Sequence, residues 1–148
     1  MVNDVIESVE FKNLMIKQIK EMINFLLDKN SEFAITVNIN GATFNPNLPS
    51  SIEKKLSKFS LFVLSNYTYS TIKMDDEVVS FEAGFGSENF GSTVTIPLES
   101  VFQIVIEDSI LLINPVATVE KYNDNSKALL HKSKNVFKNN PKNTNLIN

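Results

Sequence analysis

Val78-Val79-Ser80-Phe81-Glu82-Ala83-Gly84-Phe85-Gly86-Ser87, followed after a short interval by Thr93-Val94-Thr95-Ile96-Pro97-Leu98, is the stretch whose reading decides the fold. The first run alternates with period two. Val79, Phe81, Ala83 and Phe85 fall on one face and Val78, Ser80, Glu82 and Gly84 on the other, so the four apolar side chains of the first set are predicted to face a core. The second run is β-prone and ends at a proline. Together they read as a β-hairpin. Gly84 on the outer face leaves a gap, which either relieves crowding at a bulge or admits the backbone of a ligand. Glu88-Asn89-Phe90-Gly91 makes a loop longer than a tight turn needs, with Phe90 near its tip either folded over the core or offered to a partner. The hairpin carries no catalytic constellation, so its glycine-marked strand points to binding.

Around the hairpin, residues 8–29 are predicted to be helical. Phe11, Met15, Ile19, Met22 and Leu26 recur at three- and four-residue spacing, and Asn30 reads as a left-handed cap. The apolar stripe is wide. It either covers the open end of a barrel or packs in part against a second subunit. Phe33, Ile35, Val37 and Ile39 alternate as a half-buried strand ending at the turn Asn40-Gly41. Ser50-Ser51-Ile52-Glu53 reads as a short capped helical turn. Phe59–Leu64 is apolar on both faces and reads as an inner strand; Tyr67–Ile72 is β-prone and reads as its continuation. Phe102–Ile106 and Ile110–Ile113 form a further strand pair. The expected fold is mainly β with one long N-terminal helix: an open meander barrel over residues 1–115. Residues 116–148 are expected to be a flexible lysine- and asparagine-rich tail, with Ala128-Leu129-Leu130 and Val136-Phe137 as either docking residues or incidental ones.

Composition narrows the function classes. The 148 residues include no cysteine, no tryptophan, no arginine and one histidine, His131. Thiolate metal sites and disulfides are excluded, and a histidine-based zinc or triad site has too few members. Asp75, Asp76 and Glu77 are adjacent rather than convergent and read as a solvated turn. Glu82 has no visible acid–base partner. The chain is therefore expected not to be an enzyme and to need no cofactor. Residues 1–115 carry 8 lysines and 15 acids, whereas residues 116–148 carry 6 lysines and 2 acids. An acidic body of this kind makes nucleic acid an unfavoured partner. No apolar run is long enough to span a membrane and the N-terminus has no basic leader, so the expected location is the cytoplasm.

The stretch from Asp76 to Gly86, followed by Val94-Thr95-Ile96-Pro97-Leu98-Glu99-Ser100-Val101, resembles the stringent starvation protein B (SspB) family, most of all its alphaproteobacterial branch. The resemblance runs from about Leu14 through Pro115. It implies an SH3-like or Sm-like open barrel and a homodimer formed through the helix, with Phe11, Met15, Ile19 and Met22 at the interface. It also implies a non-enzymatic adaptor that captures peptides carrying the ribosome-rescue tag and delivers them to ClpX, the unfoldase of the ClpXP protease, through its flexible tail. The peptide groove would be built from Val78, Ser80, Glu82, Gly84, Phe85, Gly86, Ser87 and Phe90. Val136, Phe137, Lys138, Leu146 and Ile147 would be the tail residues that dock on the protease. The chain departs from the family pattern where many members have arginine at the position of Gly84, and where the second motif glycine is Ser87. A barrel that binds RNA through Tyr67, Tyr69 and Lys73, or an adaptor-like barrel for a different peptide cargo, is the alternative reading.

Overall fold

The computed structural model describes residues 2–131. A five-residue helix α1 (Val2–Ile6) precedes the long helix α2 (Val9–Asp28). Ser8 starts α2 by accepting the Phe11 N–H on its hydroxyl at 3.1 Å, which satisfies one of the orphan amides of the first turn. Asn30 ends it in the left-handed region, with φ of 53°. The Ser31 N–H reaches the Leu26 carbonyl at 2.9 Å and the Asn30 N–H that of Leu27 at 3.1 Å, the paired bonds of a Schellman stop. Both helix limits and the asparagine cap match the sequence pattern.

Eight strands follow: β1 (Phe33–Asn38), β2 (Thr43–Asn45), β3 (Phe59–Leu64), β4 (Lys73–Met74), β5 (Val78–Phe85), β6 (Phe90–Pro97), β7 (Val101–Ile106) and β8 (Ser109–Ile113). They form two antiparallel four-stranded sheets in the orders β3-β1-β7-β8 and β2-β6-β5-β4. The architecture is thus one long N-terminal helix with two open sheets, as an SH3-like meander topology would have at this coarse level. Only β4-β5-β6 and β7-β8 are consecutive neighbours. Elsewhere the chain crosses between sheets, through a 3₁₀ turn (Ile39–Gly41), through the short helices α3 (Ser50–Glu53) and α4 (Asn66–Ser70), and through a second 3₁₀ turn (Leu98–Ser100).

The core lies between the inner faces of the sheets. Phe62 sets its ring on Phe81 at 5.5 Å and on Phe85 at 6.2 Å, and Phe85 meets Phe44 at 5.8 Å. Helix α2 adds Ile19, Ile23 and Leu26, all essentially without solvent exposure. Each such side chain contributes about 1.5–3 kcal/mol of transfer free energy. Gly41 is required by close approach: a Cβ there would lie 2.1 Å from the hydroxyl of the fully buried Ser100.

Three local expectations change. Phe59–Leu64 is a strand, but an edge strand, and Leu61 and Val63 are 59% and 63% exposed. Its two apolar faces do not mean burial on both sides. Tyr67 to Ser70 belongs to α4 rather than to a strand. Tyr69 packs its ring edge-on against Phe33 at 6.3 Å and its hydroxyl reaches the Leu26 carbonyl, contacts that outweigh local β-propensity. The third change concerns the boundary at residue 115. The 3₁₀ turns Pro115–Thr118 and Glu120–Tyr122 and a helical turn over 126–131 pack onto the domain, with Val116, Ala117 and Ala128 fully buried.

Polar side chains hold this segment. The fully buried Asn114 donates its amide to the carbonyls of Glu99 and Val101 and accepts the Val116 N–H. Asn38 donates to the Ala117 carbonyl at 2.9 Å, and Asn123 to those of Val116 and Val119. Lys127 pairs with the carboxylate of Glu99, 3.2 Å away, whose side chain is 5% exposed. A chain ending after His131 is therefore expected to melt like the full chain, and one ending after Pro115 to melt far lower or not fold, by circular dichroism. Lys127→Ala leaves the Glu99 carboxylate buried and unpaired; since Lys127 is itself part-exposed, a loss of about 1–3 kcal/mol in urea unfolding is expected.

Candidate functional site

A trough of about 530 Å³ crosses the outer face of the β2-β6-β5-β4 sheet. Its floor is a cross-strand glycine pair: Gly84 on β5 stands directly opposite Gly91 on β6. The next pair along the same face is Glu82 and Thr93. Asn45 and Pro46 form one wall, and Tyr67 and Thr68 of α4 form the other. Two adjacent residues without side chains keep the sheet face low at this point.

The strand edge beside α4 is open over half its length. β4 pairs only with Val79 and Ser80, so β5 has no strand neighbour on that side from Phe81 to Phe85. The Val78 carbonyl accepts from the Asp75 N–H, and the Glu82 N–H donates to the Thr71 hydroxyl at 2.9 Å. Backbone groups of a strand alternate sides, so even-numbered residues of β5 turn their N–H and C=O toward this edge. Gly84 accordingly presents both of its backbone groups to the open side, the template for an added extended chain.

Two side chains tune the trough. Tyr67, 67% exposed, donates its hydroxyl to Glu82 Oε1 at 2.9 Å. The accepting hydrogen bond and negative charge of Glu82 favour the neutral phenol and raise the Tyr67 pKa above the usual tyrosine value. Asn89, in the left-handed region with φ of 54°, lays its carboxamide over Gly84. An ideal Cβ on Gly84 would lie 1.7 Å from Asn89 Oδ1. The gap foreseen at Gly84 is real in the backbone and is occupied by the chain's own amide. At Gly91, by contrast, an added Cβ meets nothing within 4 Å.

The residues foreseen for a groove divide between locations. Glu82 and Gly84 line the trough. Ser80 shares their strand face but sits beside β4, paired with Lys73. Val78 is buried. Phe85 turns its ring into the aromatic core, and Phe90 is the first residue of β6 rather than a loop tip, on the face that carries Val94 and Ile96. The loop is only Gly86–Asn89. It contains Gly86, with φ of 72°, and the exposed Ser87. Asn45, Asn89 and Gly91 were not foreseen, and Tyr67 was named only for the RNA alternative. Tyr67 and Asn45 come from elements whose positions only the tertiary fold fixes, and Gly91 was hidden by placing the loop two residues too far along.

Of the helix residues foreseen at a dimer interface, Phe11, Met15 and Met22 are partly buried, whereas Ile19 is fully buried in the chain's own core and unavailable to a partner. Val9, Leu14 and Phe25 are the half-exposed apolar residues of α2. Val136, Phe137, Lys138, Leu146 and Ile147 lie outside the described residues. Among the described residues no three acidic or histidine side chains gather as a metal ion would require, and no helix is long and apolar enough to cross a membrane. No protein-family model matches the chain, and no curated protein matches it.

The Tyr67–Glu82 bond has a measurable signature. The Glu82 carboxylate is the main cause of the raised Tyr67 pKa, so Glu82→Gln should move one tyrosine titration to lower pH. Ultraviolet tyrosinate absorbance on the two proteins checks this, with the remaining tyrosines as internal reference.

Proposed function

We propose that this chain is a non-enzymatic, cytoplasmic adaptor of the SspB kind, which captures an extended peptide in the trough over Gly84 and Gly91. The observation that carries this reading is the open half of β5, where the backbone groups of Gly84 face an unpaired edge beside a floor that is open at Gly91 and covered at Gly84 only by the Asn89 carboxamide. β-Strand addition takes its affinity from main-chain bonds and its selectivity from neighbouring pockets, and a glycine floor lets a second backbone approach closely. The resemblance of the hairpin to the SspB pattern, the long N-terminal helix and the two-sheet order all support it.

The wall chemistry describes the cargo. No lysine lines the trough, and Glu82 is its one charged residue. An acidic peptide gains nothing here, whereas a neutral or basic residue beside Tyr67 and Glu82 is accommodated. The cargo is therefore a rescue-tag peptide of low acidity, or another extended peptide of that character. The RNA reading is weaker by the same geometry, since Tyr69 is spent on Phe33 and leaves no row of stacking rings.

Delivery follows from tethering. A peptide held weakly in the trough, with residues 132–148 engaging ClpX at the same time, reaches the protease at a high local concentration. Fluorescence anisotropy with the host's own tag peptide should show saturable binding that a scrambled peptide lacks. Gly91→Trp fills the trough from open space and should abolish binding with the circular dichroism spectrum unchanged; undiminished affinity would place the peptide elsewhere. Deleting residues 132–148 should leave capture intact and remove the stimulation of ClpXP degradation, and equal degradation rates with and without them would end the tether model.

A further inference from the structure

One row of the trough has a chemistry that the glycine floor does not explain. Asn45 on β2 stands opposite Thr93 on β6, and Thr93 stands opposite Glu82 on β5. Three polar side chains thus lie side by side across three strands, and all three line the trough. Directly opposed residues have their Cβ atoms about 4.5–5.5 Å apart, so the oxygens of the row converge on one space next to the glycine pair. Tyr67 stands at the β5 end of the row, where its hydroxyl meets Glu82.

The hydrogen bonding of the row is incomplete. Glu82 Oε1 accepts from Tyr67 at 2.9 Å. Among the described residues nothing donates to Glu82 Oε2, to the Thr93 hydroxyl or to the Asn45 carboxamide oxygen. No lysine lines the trough, and Lys73, opposite Ser80 one row away, makes no ion pair with Glu82. The row therefore offers three acceptor oxygens and one uncompensated negative charge to whatever lies over it.

Three classes of cation are distinguished by this arrangement. A calcium ion takes about 6–8 oxygen ligands, several of them anionic, and one carboxylate is too few. A guanidinium binds a carboxylate best as a two-pronged fork, and Tyr67 already occupies one of the two oxygens. A primary ammonium carries one positive charge and three donors in a compact head. That set matches one carboxylate oxygen flanked by two neutral oxygens.

We propose that Glu82, Thr93 and Asn45 form a subsite for a primary ammonium group of the captured peptide, supplied by its amino terminus or by a lysine side chain. The inference rests on the capture reading and adds to it the group that the cargo must carry. Tyr67 is a positioning residue: its hydroxyl fixes the carboxylate and takes the oxygen that a guanidinium would need. The row also sets the register of the cargo. An ammonium anchored there places the neighbouring peptide residues over the glycine pair, where the space above Gly91 is open.

Fluorescence anisotropy on the full chain tests it. The probe is the host's own tag peptide, labelled at its carboxyl end, in four forms. One has a free amino terminus and one is acetylated; the other two are acetylated and carry a single lysine, or a single arginine, at each position in turn. The free-amine form or a lysine form should bind the wild type about fivefold or more tighter than the acetylated form. That gap should narrow as salt is raised toward about 1 M. Glu82→Gln should bring the ammonium-bearing forms down to the level of the acetylated one. Tyr67→Phe releases Oε1 for a fork and should let the arginine forms gain on the lysine forms. A gain with the free amine identifies a reader of the terminus and a gain with lysine a reader of the side chain; either supports the proposal. Equal affinity for all four forms, with Gly91→Trp still abolishing binding, overturns the ammonium subsite and leaves capture standing. Equal gains from lysine and arginine in the wild type overturn the assignment to a primary ammonium. If the wild type binds no form, the capture reading fails and the subsite falls with it.

Discussion

Two sheets that never close on one another must have their shared core sealed from the ends and sides, and the rest of this structure depends on how that is done. The inner faces supply Ile35, Val37, Phe62, Leu64, Val79, Phe81, Val94, Ile96 and Ile104. A closed barrel would bury them with its own strands. Here α2 does it, placing Ile19, Ile23 and Leu26 against the same cluster. The crossover from β6 to β7 is short and buried for the same reason: Leu98, Glu99 and Ser100 form a 3₁₀ turn with almost no exposure. Gly41 has no side chain because that turn occupies the space one would need.

The buried crossover at residues 98–100 and the turns that follow β8 leave backbone groups that no ladder satisfies, and three asparagines answer for several of them. Asn38, Asn114 and Asn123 are each nearly inaccessible and bond to main-chain groups of residues 99–119. A carboxamide both donates and accepts, which suits isolated carbonyls and amides in a dry interior. Asparagine-rich sequence thus serves in part as framework. That is why residues 116–131 read as a solvated tail in sequence and pack as an integral edge of the domain in three dimensions. Composition counts polar side chains without knowing that several of them face inward.

What could be read in the sequence follows the range of the forces involved. The limits of α2, the Asn30 stop, the half-buried β1 and the inward set of β5 are periodic or local, and they were legible. The edge position of β3 and the helical state of Tyr67 to Ser70 depend on register and on distant partners, and they were not; the inward turn of Phe90 was one of two readings the sequence left open. Phe90 shows the sensitivity most clearly. Moving the strand start from Thr93 to Phe90 transfers one ring from a loop tip to the core side and brings Gly91 opposite Gly84. The trough was half legible: its glycine and its acid lie in the hairpin, while its walls come from β2, α4 and the loop end.

Asn89 connects the structure of the trough to the way it would work. Its carboxamide has the atoms of a peptide group, and it rests where an incoming peptide bond would approach Gly84. If the trough takes a peptide as proposed, Asn89 is an internal substitute for that cargo. Capture would then be an exchange in which Asn89 swings out as the peptide lies down, and the net gain would be the difference between two similar sets of contacts. Under the adaptor proposal that modest affinity is the useful regime, because a tether would supply through local concentration what the trough does not supply in contacts.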